Sequence, residues 1–300
     1  MTEPSYIELF RSQELNQRVN KAWEMMKNCQ LCPHHCQVDR TQGETGYCNI
    51  GSEIKVASYA PHYGEEDPLV GRNGSGTIFF SGCNLHCIYC QNYDISQGES
   101  GREVSIQDLA EMMISLQKRG CHNINFVTPS HMIYAVLAAT EKACQLGLKI
   151  PLVYNTGGYD DAQVLQELLA GVIDIYMPDL KYADEEIARQ YSQIKNYPQV
   201  VKAAIKEMHC QVGDLQLEKG VATQGLIVRH LLLPNQLAGS ADLLDFIKEE
   251  ISANTYLNIM GQYYPAYQAH TDKKLKRRLH NQELKEALNL AKEKGLTRGP

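Results

Sequence analysis

Six short β-rich runs, each followed by a stretch of helical period, constrain the fold of this chain more than any other feature. The runs lie at 77–80, 123–128, 151–156, 173–177, 226–233 and 256–260. Between them, apolar residues recur three and four apart over 106–119, 132–146, 162–169, 184–191, 199–212 and 241–251, with a last helical stretch over 283–293. Gly147 and Gly171 stop two of these helices. Such alternation predicts an α/β fold of parallel βα units. Right-handed crossovers then leave an open sheet or an incomplete barrel, and periodicity alone does not choose between them. In either case chemistry belongs at the carboxyl ends of the strands. The unusual residues collect there: Gly82-Cys83, Thr128-Pro129-Ser130, Asn155-Thr156-Gly157-Gly158, Asp179 with Lys181, Pro234-Asn235 and Gly261-Gln262-Tyr263. The stretch before this rhythm, 1–67, reads as one helix over 6–26 and a cysteine-rich loop, a small cap in front of the main domain at 68–300.

Charge and hydropathy narrow the class. A formal net charge of −6 argues against a nucleic-acid partner spread over the surface, and the basic run from Lys273 to Arg278 reads as a solvated helix face. No apolar run is long enough for a membrane helix, so no membrane partner is expected. The first residues lack the pattern of a secretory signal. A cytoplasmic location follows as an expectation, and in a reducing compartment clustered cysteines mean metal or catalysis more often than disulfides.

Seven of the ten cysteines fall in two groups. Cys83, Cys87 and Cys90, spaced four and three apart, can wrap one face of a cubane cluster and serve three of its irons. The fourth iron then stays open, the general logic of a catalytic metal site. A zinc site completed by His86 or a distant residue is the alternative. Cys29, Cys32, Cys36 and Cys48, four thiols within twenty residues, make a closed tetrahedral set for zinc or for an auxiliary iron–sulfur cluster. Residue types do not decide between those two, and His34 and His35 stand close enough to be considered as ligands. Cys121, Cys144 and Cys210 are isolated and read as small hydrophobes, with Cys210 a weak candidate for a reactive group. Tyr63, Tyr263, Tyr264 and Tyr267 are candidates for a substrate mouth. A glycine-rich run over 70–76 precedes a strand where a dinucleotide fingerprint follows one, so it is discarded as a phosphate loop.

The run SGCNLHCIYCQN at 81–92, with Tyr89 before the last cysteine, resembles the signature of the radical S-adenosylmethionine (SAM) superfamily. Further segments, VTPSHMIYAV at 127–136, VYNTGGYD at 153–160, DIYMPDLKY at 174–182 and IVRHLLLPNQLAGS at 227–240, are similar to the pyruvate formate-lyase activating enzyme-like branch. The resemblance spans nearly the whole chain. It implies a partial (β/α)6 TIM-like barrel behind a small Cys-rich N-terminal cap. It implies a [4Fe–4S] cluster on Cys83, Cys87 and Cys90 whose open iron binds SAM, and one-electron cleavage to a 5′-deoxyadenosyl radical. It also implies flavodoxin or ferredoxin as electron donor and a protein or peptide as substrate.

The family's SAM contacts map by position onto Thr128, Asn155, Thr156, Gly157, Asp179, Lys181 and Arg229, with Met177 beside them. Two departures stand out. Val127-Thr128-Pro129-Ser130 replaces a Gly-Gly-Glu-Pro motif, and Asn155 replaces an aspartate, which weakens the case for the monovalent cation that activases hold there. Taken alone, Asp179 with Lys181 also reads as a rim ion pair, Gly157-Gly158 as a tight turn, and Arg229-His230 as a structural pair. Radical modification of a small molecule or RNA, and a non-enzymatic cluster-binding scaffold, are the competing functions.

Overall fold

The computed structural model describes residues 3–98 and 100–299. Its strands, in chain order, are β1 (Ile54–His62), β2 (Ser75–Phe80), β3 (Arg102–Val104), β4 (Ile124–Val127), β5 (Leu152–Thr156), β6 (Ile175–Pro178), β7 (Gln216–Glu218), β8 (Val221–Leu231) and β9 (Tyr256–Met260). They form one sheet in the order β3-β1-β2-β4-β5-β6-β8-β7, with β9 also on β8. The β2-β4-β5-β6-β8-β9 pairs are all parallel, and the sheet does not close. This is the incomplete barrel, and its six parallel strands are the six β-rich runs of the sequence.

Register explains why the unusual residues meet. Phe79 pairs with Val127, Val127 with Asn155, and Asn155 with Met177, so four neighbouring strands end level. An isolated bridge between Asp179 and Arg229, and the pairing of Arg229 with Asn258, carry that row on to β9. Every loop that follows these strands therefore opens onto one rim.

The helices form for local reasons the sequence shows. Ser105 caps the helix Ile106–Lys118 in a reciprocal box with Asp108, and Leu109, Ala110, Met113 and Leu116 bury its inner face. Asp161 caps the next but one through the N–H groups of Gln163 and Val164. That helix, and the one beginning at Ser240, widen into π-turns at Leu165–Leu169 and Ile247–Ile251. The interior of the barrel is apolar at its lower end, where Leu69 inserts among Val153, Ile175, Met177 and Ile227. Among the described residues no helix is long and apolar enough to cross a membrane.

The N-terminal stretch differs from the sequence reading. Its helix is broken into Tyr6–Arg11 and Glu14–Met26 by Gln13, whose φ of 65° no helix accommodates. The second piece packs on the helix Ile133–Gln145, and Ser5 bonds to the buried Asp174 through both its N–H and its hydroxyl. Residues 54–62, grouped with the cap because they precede the strand–helix rhythm, make β1 and run antiparallel along β2. Alternating polar residues, and a following helix of only four residues at Asp67–Val70, give this strand no βα signature.

Candidate functional site

One cavity on the rim is lined by Cys83, Cys87 and Cys90 together with Thr128, Asn155, Thr156, Gly157, Asp179, Lys181 and Arg229. Ten positions scattered over 147 residues of sequence thus share a single opening. Phe79, Phe80, Leu85 and Ile95 supply its apolar wall.

The cysteine loop is held from both sides. The Cys87 sulfur lies 2.8 Å from the Ser192 hydroxyl, which sits 2.7 Å from Tyr182 Oη. Tyr182 in turn meets Tyr89 at 2.5 Å, so the aromatic residue of the cysteine motif anchors the far end of this buried chain. Cys90 Sγ lies 3.3 Å from Ser96 Oγ, and the Leu85 N–H donates to Cys83 Sγ at 3.4 Å. Burial pushes the Cys87 thiol up to about 11, with Lys181 opposing, and burial raises Cys83 further. A bound metal or cluster must therefore displace protons as it binds. Among the described residues no three His, Cys, Asp or Glu side chains converge closely enough to hold a single metal ion as they stand.

The polar wall is a charge network. Asp179 accepts from Lys181 Nζ at 2.6 Å on one oxygen and from Arg229 Nε at 2.9 Å on the other. Burial would raise its pKa, but the two cations outweigh it and hold the carboxyl below its usual range. Arg229 also donates to Asn155 Oδ1 at 2.7 Å. Beneath it lie Glu65 at 3.7 Å and Glu66 at 4.0 Å, neither of which had a signal in the sequence. Burial and the neighbouring Glu66 push Glu65 up to about 7 against the pull of Arg229. Lys181 stays charged because Asp179 and Cys87 outweigh the burial that would lower it.

Two residues of this corner are tied to partners of their own. The Thr156 hydroxyl is committed to the buried Asp160 at 2.6 Å, so only its backbone remains for a ligand. Gly158, read as a possible tight turn, has φ +82°, and a Cβ there would collide with the Asp179 carbonyl. Tyr197, which no pattern singled out, locks the same corner: it donates to the carbonyls of Gly157 and Asp179 at 2.9 and 2.8 Å and accepts from the Lys181 N–H at 3.1 Å. His230 is a satisfied structural residue between the Leu180 carbonyl and Ser240. Of the tyrosines considered for a substrate mouth, Tyr263 is 2% exposed and bonds the Leu275 carbonyl, whereas Tyr63 is 65% exposed. Tyr267 stacks on Tyr93 at 4.8 Å.

The second cysteine set abuts the first. Gly82, at φ +78°, lies against the Cys48 carbonyl, which a Cβ would approach to 2.8 Å. Tyr47 is sandwiched between His34 at 3.8 Å and His86 at 4.1 Å, one ring from each cysteine loop. His34 also bonds the Asn84 carbonyl at 2.9 Å.

Three soft thiols on one loop, facing a polar wall with a lysine and an arginine, suit a cluster that keeps one iron open for a charged ligand. Comparison with known proteins agrees. The model of the radical SAM superfamily matches residues 77–210. The uncharacterized protein MJ0674 of Methanocaldococcus jannaschii is 32% identical over 300 residues, covering 97% of this chain and 82% of the relative. The pyruvate formate-lyase 1-activating enzyme of Escherichia coli is 31% identical over 128 residues, 40% of this chain and 50% of that protein. Among solved structures, the FeFe-hydrogenase maturase HydG of Carboxydothermus hydrogenoformans superposes with a TM-score of 0.47 at 13% identity, covering 73% of this chain and 52% of that one. The superfamily implies an enzyme with a [4Fe–4S] cluster and SAM. With its cysteine motif at 81–92 and the superfamily model matching over 77–210, this chain belongs to the radical SAM superfamily.

Proposed function

We propose that this chain binds SAM at a [4Fe–4S] cluster held by Cys83, Cys87 and Cys90, takes its electron from a flavodoxin or ferredoxin, and acts on a protein or peptide substrate. The observation that carries the reading is the single cavity lined by the three thiols and the seven rim residues. When bound, the cluster and SAM supply one-electron cleavage of the sulfonium, which gives methionine and a 5′-deoxyadenosyl radical able to abstract hydrogen.

The protein's own contribution is binding, orientation and exclusion of water. The Lys181 ammonium has three donors, more than its bond to Asp179 uses, and suits the SAM carboxylate. Arg229 is fixed by Asp179 and Asn155 and adds a second positive charge on the same wall. Thr128 and the backbone after β4 suit the SAM amino group in place of the missing glutamate. Gly157 keeps the rim low between Leu85 and Lys181, since a Cβ there would run into Leu85 at 2.5 Å. The choice of a protein or peptide substrate leans on the similarity to the activating enzyme, which covers 40% of this chain.

The test is anaerobic reconstitution with iron and sulfide, reduction by dithionite, and assay for 5′-deoxyadenosine in the presence of SAM. Formation of the nucleoside that disappears in Cys87→Ala is the expected result. A fully loaded cluster that never cleaves SAM with any of several reductants overturns the reading in favour of a scaffold. Hydrogen transfer from labelled protein or peptide to 5′-deoxyadenosine then separates a macromolecular substrate from a small one.

A further inference from the structure

Arg40 is a buried cation without a buried anion. It is 1% exposed. Its Nε donates to the Gly51 carbonyl and one terminal nitrogen to the His131 carbonyl, both at 2.9 Å. The same terminal nitrogen lies 3.9 Å from Cys29 Sγ, and the guanidinium covers the Tyr134 ring at 5.2 Å. The other terminal nitrogen is buried with no partner. Among the described residues no carboxylate pairs with it; the ionisable groups that act on it are Cys48, Tyr134 and Cys29. Arg229 shows the contrast, since it faces Asp179, Glu66 and Glu65.

A guanidinium does not shed its proton, and burying it unpaired is among the most costly things a fold can do. Neutral thiols leave that charge unbalanced. Metal-bound thiolates do not: four of them around a divalent ion, or around an oxidised [4Fe–4S] core, carry a net charge of about −2. The loop is shaped accordingly. Cys29 exchanges backbone bonds with Val38 and Gln37, and His35 and Gln37 take left-handed φ values of 42° and 59°. These turns fold the loop back on Cys29, and its sulfurs, like those of the other loop, do not converge on one ion as they stand. The Tyr47 N–H donates to Cys36 Sγ at 3.3 Å, the kind of bond a metal-bound sulfur accepts. Gly46 leaves room for that sulfur, because a Cβ would stand 2.8 Å from it. The adjacent histidines are engaged elsewhere, His34 with Asn84 and His35 with Asp161 at 2.8 Å.

We propose that Cys29, Cys32, Cys36 and Cys48 hold a second, closed tetrathiolate metal centre, of zinc or of a [4Fe–4S] cluster, with Arg40 as its buried counter-ion. The centre is independent of SAM chemistry and stands or falls on its own.

The experiment is metal and sulfide analysis of the full chain purified anaerobically, both unaltered and as the Cys83→Ala/Cys87→Ala/Cys90→Ala variant. The variant should keep about one zinc, or about four irons with sulfide, per chain. The metal counted tells the two apart, and further replacement of the half-buried Cys36 by serine should remove it. Folded protein that carries neither metal overturns the proposal, whatever SAM cleavage shows. The counter-ion role is read from metal loss to a competing chelator. Arg40→Met should lose metal about 10–100-fold faster than the unaltered chain, and Arg40→Lys, which keeps the charge, less than about threefold faster. Equal rates in folded Arg40→Met or, should that variant not fold, tenfold or greater loss in the charge-retaining Arg40→Lys, refute it.

Discussion

The two cysteine loops lie against each other, yet they are built in different ways. The loop of Cys83, Cys87 and Cys90 borrows its surroundings from distant parts of the chain: Ser192 and Tyr182 behind it, Lys181 and Asp179 across the cavity. The loop of Cys29, Cys32, Cys36 and Cys48 is shaped chiefly by its own backbone, by Gly46 and by the one buried arginine. An open metal site needs a wall opposite the metal, and here the barrel rim brings that wall together from remote segments. A closed site needs little beyond four sulfurs, a tight turn and charge balance. Proximity in space therefore does not imply a shared design.

This contrast can be broken by experiment. The largest effect is expected for Cys87→Ala, which should reduce 5′-deoxyadenosine formation to background while the metal of the other loop stays bound, as metal counts on the same sample would show. Loss of both metals together would mean that the loops are one unit. Next comes Gly82→Ala, at the seam. Its φ of +78° and the approach of the Cys48 carbonyl should together cost about 1–3 kcal/mol, measured as a lower denaturation midpoint. An unchanged midpoint would show that the loops can part freely.

A smaller effect is expected for Ser192→Ala, which removes a hydroxyl behind Cys87 and should speed cluster loss about tenfold, followed by iron release to a chelator. The smallest concerns pH. The folded pKa of Glu65 is raised from 4.5 to about 7. Between those values the native chain binds more protons than the unfolded one, so its stability falls as pH rises through the window. Glu65→Gln should flatten that part of the stability–pH curve, and a curve of unchanged slope would show that Arg229 controls the group instead.

Much of this was readable from local pattern. The six parallel strands carry the apolar runs of a sheet buried on both faces, and the cysteine spacing is a local property of one loop. The rim residues are legible because each lies at, or within a few residues of, the carboxyl end of a strand. What escaped detection depends on contacts between remote segments. Ser192 meets Cys87 across 105 residues, and Tyr197 reaches the Gly157 carbonyl across 40, with nothing in their neighbourhoods to mark them. Glu65 and Glu66 lie in a segment whose polarity reads as a surface loop, although it turns inward beneath Arg229. The strands β3 and β7, three residues each, are too short for any periodicity to register.

The unclosed sheet also bears on solubility. An incomplete barrel has two free borders, and exposed strand borders invite pairing with another molecule. Here one border is occupied by β3, whose Arg102 and Glu103 are exposed and charged. At the other end β8 is covered by β7 and β9, and the Leu257 N–H of β9 donates to the Arg298 carbonyl at 2.8 Å. A rim left open for a ligand thus coexists with borders that offer little foothold for β-sheet association between copies of the chain.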